Sequence, residues 1–274
     1  MSAITGNGQT IPQTGKFVSV EGFRTYYIEK GTRAPLVLLH GSAPGSCSEI
    51  SWRDTILPLS QSSRVLAFDQ LGYGYSDKPD DKMDFDSRLK HILAFIESMD
   101  LKKIDLLGLS AGGSFAMGVA VRRPELVDHL AIVSSAGPTA AARRPAMEPT
   151  RETMREMCLK HVHQKKAITD ELLGLLLQMH TSFGNNEASH VRANIPPEQE
   201  KHVREEILAN MSDWNGNTLF IAGAQDEAIP LTKVLELFKR MPAAQMHIFN
   251  DCGHWLQFER PDTFTAVTQN FLTT

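Results

Sequence analysis

The sequence predicts an α/β fold: a mainly parallel sheet flanked by helices, with one helical insertion. Three observations carry that expectation. Short apolar runs alternate with helical spacing through most of the chain, as successive strand–helix units require. Gly108-Leu109-Ser110-Ala111-Gly112 joins one apolar run to a helical pattern through a turn whose flanks must be small. Between Ala136 and about Asp213 the alternation stops, and only helical signals follow Pro138, Pro145 and Pro149. The expected division is therefore a core of residues 1–137 and 213–274 with a helical lid over 138–212.

The elements follow in order. Phe17 to Val20 and Arg24 to Glu29, separated by Glu21-Gly22-Phe23, read as an opening hairpin. Ala34 to Leu39 is a strand running into the turn His40-Gly41-Ser42-Ala43-Pro44-Gly45. Arg64 to Asp69 is a buried strand, and Gln70 to Ser76 is the loop after it. Leu89, Ile92, Leu93 and Ile96 give helical spacing to Asp86–Met99. Ile104 to Leu107 reads as a strand, and a small-residue helix follows from Ser114 to Arg123, ended by Pro124. His129 to Val133 is the next strand.

Within the insertion Thr169 caps a run containing Leu172, Leu173, Leu175, Leu176, Leu177 and Met179. Pro196-Pro197 opens another helix, through Glu198 to Ala209. The leucine run is too apolar all round for a single buried stripe, so it is packed on two sides or lines an apolar cleft. Met147, Met154, Met157 and Met179 add adaptable apolar surface, which suits an apolar acyl or aromatic substrate or a plain helical core. His161, His163, His180, His190 and His202 show no metal-ligand spacing and read as a solvated polar face. Two strands close the chain: Thr218 to Gly223, followed by Asp226, and Gln245 to Phe249, running into Asp251-Cys252-Gly253-His254.

Composition narrows the function classes. With 274 residues and 42% hydrophobic content, the chain can bury a substantial core. A net charge of −4 without a basic stripe argues against nucleic acid as a partner. The longest apolar runs fall far short of the ~20 residues of a membrane span. Met1 to Lys16 is polar, without an apolar signal-peptide core, and Cys47, Cys158 and Cys252 fit reduced thiols. A cytoplasmic protein acting on a small molecule is the expectation, with a homo-oligomer compatible with it. No phosphate-binding or dinucleotide fingerprint is present, so neither a cofactor nor a metal is expected.

The chemistry lies in the spacing of three groups. Gly108 to Gly112 is a G-x-S-x-G nucleophile elbow in its strand–turn–helix context, with Ser110 as nucleophile. Asp226 and His254 follow in the order acid, then base, each after a strand-like run. The imidazole can take the serine proton while the carboxylate fixes its tautomer. Glu227 and Asp251 compete with Asp226, but Asp251 is too close in sequence to His254 to approach the ring from behind. The backbone N–H groups of Ser42 and Ala111 are the candidate oxyanion donors.

Together these motifs resemble the α/β-hydrolase superfamily over essentially the full chain. Within it, the chain is similar to the meta-cleavage product hydrolases, serine-dependent carbon–carbon hydrolases of aromatic degradation. His40 to Gly45 is similar to their H-G-S-G-P-G turn. Cys252-Gly253-His254-Trp255 with Gln257 and Glu259 is similar to their C-G-H-W-x-Q-x-E, and Asp69 to Ser76 to their D-x-x-G-x-G-x-S. The resemblance implies hydrolysis of a ring-fission product, with Gly41, Leu109, Arg192 and Trp255 at the substrate. It departs where Leu109 and Ser51 stand in place of two amides of that family, which favours the alternative of a carboxylesterase on less polar esters. A carboxylate nucleophile, as dehalogenases and epoxide hydrolases need, is absent from the elbow. A non-catalytic small-molecule receptor of the same fold is the remaining reading.

Overall fold

The computed structural model describes residues 13–79, 83–138, 148–182 and 197–274. Among the described residues eight strands form one sheet: β1 Lys16–Val20, β2 Phe23–Lys30, β3 Pro35–Leu39, β4 Arg64–Phe68, β5 Ile104–Leu109, β6 Val127–Val133, β7 Asn217–Gly223 and β8 Ala244–Phe249. Their order is β1-β2-β4-β3-β5-β6-β7-β8. The expected hairpin is there, closed by Glu21 and Gly22, both at positive φ as a two-residue hairpin turn demands. β2 runs antiparallel to β4, and every later pairing is parallel. Central strands of this kind are covered on both faces, which is why β3, β4 and β5 read as continuous apolar runs.

Each face has its own cluster. On one, the helices Phe85–Ser98 and Ala111–Arg122 bring Leu89, Phe95, Phe115 and Met117 against Val37, Leu66 and Leu106. On the other, Trp52, Leu59, Phe264 and Phe271 cover Leu36, Leu38, Val65 and Leu107. The helix after the elbow starts at Ala111, before the expected Ser114, and the poor helix formers Gly112 and Gly113 in its first turn hide that start in the sequence.

Between β6 and β7 the regular elements among the described residues are helices. Arg151–His161 and Asp170–Ser182 pack on each other, the second capped by the Thr169 hydroxyl, which accepts from the Leu172 N–H at 3.1 Å. The leucine run is packed on two sides: Leu172, Leu173, Leu176 and Met179 meet Met154 and Cys158 and also Ala43, Cys47, Ile50 and Trp255. The helix Pro197–Asn210 lies on the core helices, where Ile207 joins the main cluster. No helix among the described residues is long and apolar enough to cross a membrane. All three cysteines are free and buried, and burial pushes the thiols of Cys158 and Cys252 up to about 12.

Candidate active site

The site forms at the carboxyl ends of β3 and β5, where the strand order reverses direction and an open sheet leaves a crevice. Ser110 sits in that crevice at φ 54°, ψ −116°, between the last residue of β5 and the first of the helix. Its N–H donates to the Val133 carbonyl at 2.8 Å, and its own carbonyl accepts from Gly113 at 2.9 Å. The glycines make the turn possible. A Cβ on Gly108 would lie 2.3 Å from the Gly112 carbonyl oxygen, and one on Gly112 would lie 2.1 Å from that of Leu39.

Asp226 and His254 arrive from the ends of β7 and β8. His254 Nδ1 lies 2.7 Å from Asp226 Oδ2, with side-chain exposures of only 3% and 2%. The other carboxylate oxygen accepts the N–H groups of Ala228 and Ile229, both at 2.8 Å. An ionised carboxylate only accepts, so the proton of this pair is on Nδ1, and Nε2 of a neutral ring is left as an acceptor. Of the competing acids, Asp251 pairs with His163 and Arg260 on the exposed side, and Glu227 is exposed.

The turn after β3 is held by His40. Its Nδ1 donates to the Gly41 carbonyl at 2.7 Å, while Nε2 accepts the Gln70 N–H at 3.1 Å. That arrangement needs a neutral ring, and burial with Arg88 nearby lowers the His40 pKa to about 4. Gln70 returns a bond from Nε2 to the His40 carbonyl at 2.7 Å, tying this turn to the loop after β4. In that loop Asp69 accepts from the N–H groups of Ser48 and Tyr75, at 2.6 and 2.8 Å, and burial raises its pKa to about 6. Gly41 is thereby brought beside the elbow, its Cβ position 3.5 Å from Ser110 Cβ. Ala111 opens the helix, so its N–H is among those without an intrahelical acceptor.

One cavity gathers most of the residues singled out in the sequence. Gly41, Ser42, Leu109, Ser110, His254 and Trp255 line it, together with Ser46, Ser51, His161, Leu176, Gln257 and Phe258. Arg192, His190 and Met147 lie outside the described residues. Ala111 flanks Ser110 without lining the cavity.

A family model described as the alpha/beta hydrolase fold matches residues 34–261. The chain belongs to the α/β-hydrolase family. This α/β-hydrolase is 32% identical over 273 residues to a 2-hydroxymuconate semialdehyde hydrolase of Pseudomonas putida, covering 96% of each chain. It is 30% identical to another protein of that name from Pseudomonas sp. strain CF600, covering 96% of this chain and 95% of the other. A solved meta-cleavage product hydrolase from Pseudomonas fluorescens IP01 superposes with a TM-score of 0.83 at 28% identity, over 95% and 98% of the two chains. The protein is an enzyme of this hydrolase family, similar in sequence and in structure to meta-cleavage product hydrolases.

The histidines of the insertion divide. His163 and His202 are exposed, as expected of a polar face, but His161 and His180 are buried. His161 departs furthest from the expectation. Its ring stacks on Trp255 with centroids 4.8 Å apart and meets His254 edge-on at 5.4 Å, on the wall of the cavity. Its Nδ1 donates to the Met157 carbonyl at 2.7 Å, the acceptor one helical turn earlier. No local pattern announces this, because the neighbour that buries it stands 94 residues later in the chain. Among the described residues Asp105, Asp128 and His129 form a group with metal-ligand chemistry at the opposite ends of β5 and β6. They are already paired, His129 with Asp105 and Asp128 with Lys103.

Proposed function

We propose that the enzyme hydrolyses the carbon–carbon bond of a ring-fission product from aromatic degradation, with Ser110, His254 and Asp226 as its triad. The observation that carries this reading is the buried Asp226–His254 pair opening onto the cavity that Ser110 lines. The names of its relatives supply the substrate class, a 2-hydroxy-6-oxo-dienoate or semialdehyde with a carbonyl conjugated to an enol acid.

The dienol first takes a proton at carbon and becomes the ketone. His254 Nε2 then removes the Ser110 hydroxyl proton as the oxygen adds to the remote carbonyl, and the N–H groups of Ser42 and Ala111 take up the charge of the oxyanion. Collapse breaks the carbon–carbon bond. The electron pair delocalises into the keto acid, whose enolate oxygen takes the proton back from His254; it leaves as a 2-hydroxydienoate, with its acyl partner on Ser110 and the imidazole neutral again. Water deprotonated by His254 releases the carboxylic acid. The helices Arg151–His161 and Asp170–Ser182 act as the lid and present Leu176 and His161 to the acyl end.

A second reading, a carboxylesterase, is favoured by the apolar part of the wall: Leu109, Leu176 and Phe258. The same triad serves an ester, whose alkoxide leaves with the His254 proton. A paired assay separates the two. Mixed with a yellow ring-fission product, the enzyme is expected to bleach the visible absorbance, and Ser110→Ala to abolish both bleaching and turnover of p-nitrophenyl butyrate. Brisk ester turnover without bleaching would leave the esterase, and neither activity in the wild type would leave a binding protein.

A further inference from the structure

The loop that carries His254 is fastened to the helical insertion as well as to the sheet. Glu259, 8% exposed, stands on the short helix Leu256–Glu259 that follows the loop. Its Oε1 accepts the Gly253 N–H at 2.8 Å, and its Oε2 accepts the N–H groups of His163 at 3.0 Å and Gln164 at 2.6 Å. One carboxylate thus bridges the residue before His254 and the turn that ends the helix Arg151–His161. From the other side, the His161 carbonyl accepts the N–H groups of His254 at 2.9 Å and Trp255 at 3.0 Å.

The packing leaves no slack. A Cβ on Gly253 would lie 2.7 Å from the His163 nitrogen, and one on Gly223 would lie 2.1 Å from the Gly253 carbonyl oxygen. The loop is pressed between the end of β7 and the insertion. Bonds to a charged acceptor are about twice as strong as neutral ones.

We propose that Glu259 is a positioning residue: it joins the insertion to the His254 loop as one unit and so sets the imidazole against Asp226 and Ser110. This rests on the reading of His254 as the base. Glu259→Gln replaces one acceptor oxygen by an NH2 group. Whichever way the amide turns, the donors of either Gly253 or of His163 and Gln164 lose their acceptor, and the loop loosens on one side.

The test uses the full chain and p-nitrophenyl butyrate, with kcat and KM measured separately. It adds the low-field proton resonance of the His254 Nδ1–H bond to Asp226, which needs no substrate. Glu259→Gln is expected to lower kcat roughly 10- to 100-fold, the scale of a small misplacement of a reacting group. KM should stay within about two-fold on that scale, and the low-field resonance should shift or broaden. Glu259→Asp, which keeps the charge but withdraws it by one methylene, should fall between the two and serves where the glutamine variant folds poorly. Ile104→Ala, a core change at the end of β5 away from the site, gives a variant of lowered melting temperature that keeps its kcat. The proposal is overturned by a glutamine variant with wild-type kcat and an unmoved resonance, or by losses in kcat that follow melting temperature in all three variants. An inactive wild type would sink the triad reading, yet the resonance would still report on the clamp.

Discussion

At Ser110 the backbone gives up stability for the sake of geometry. A non-glycine residue at φ 54°, ψ −116° costs about 1–3 kcal/mol, and it persists because the glycine-flanked turn and the bond to Val133 over-determine it. Replacement by alanine removes the hydroxyl but keeps the Cβ and therefore the strain. Glycine removes both. Ser110→Gly is expected to be more stable than Ser110→Ala by about 1 kcal/mol in urea unfolding, with both variants inactive. Equal midpoints would show that the turn imposes no strain on its side chain. The same contrast explains why the elbow was readable in the sequence: only one residue type on each flank fits, so the constraint is written locally. His161 had no such signature, since its place on the cavity wall comes from stacking on Trp255 in a distant loop.

At the scale of elements, the site is a meeting of strand ends, and small residues set how closely they approach. The first turn of the helix Ala111–Arg122 lies directly on the end of β3, where a Cβ on Gly112 would fall 2.1 Å from the Leu39 carbonyl oxygen and 2.8 Å from that of His40. Backbone cannot yield there as the tip of a flexible side chain could. Gly112→Ala is therefore expected to destabilise by about 3 kcal/mol and to lower ester turnover, because it pushes the elbow away from the Gly41 turn. A urea midpoint within error of the wild type would mean that the helix can shift without cost. The insertion follows a different logic. Two of its helices were legible from capping and spacing, Arg151–His161 was not, and neither was the side that each one buries. Thr169 and the leucine run announce a helix, whereas the contact of Leu176 with the cavity depends on a turn more than 120 residues earlier.

Across the whole molecule, the alternation of strand and helix carried the α/β architecture, while strand order stayed hidden because register and neighbours are settled by packing between distant segments. Buried titratable groups are another property that only the folded chain reveals, and they make stability depend on pH in a calculable way. Burial, with Arg88 nearby, lowers the pKa values of both His40 and His91 from 6.5 to about 4. The unfolded chain takes up these two protons as the pH falls through 6.5, and the folded chain refuses them until about 4, so stability is lost across that interval. Asp69 opposes them. Its pKa is raised from 3.8 to about 6, so the folded chain binds a proton that the unfolded one does not, and stability is regained from this group as the pH falls below 6. Glu29 and Asp86, held below the usual carboxylate range with Arg64 and Lys90 as partners, lose their contributions only at lower pH. Between pH 6.5 and 5 the two histidines outweigh the single aspartate, and the protein should weaken on acidification. His91 meets the Thr25 hydroxyl at 3.0 Å, away from the cavity, so His91→Gln removes one of the two protons without touching the triad. Urea midpoints at pH 6.5 and 5 should then show the wild type losing roughly 1.5 kcal/mol more than the variant. Parallel losses in the two proteins would mean that His91 takes up its proton in the folded state, and that burial does not govern its charge.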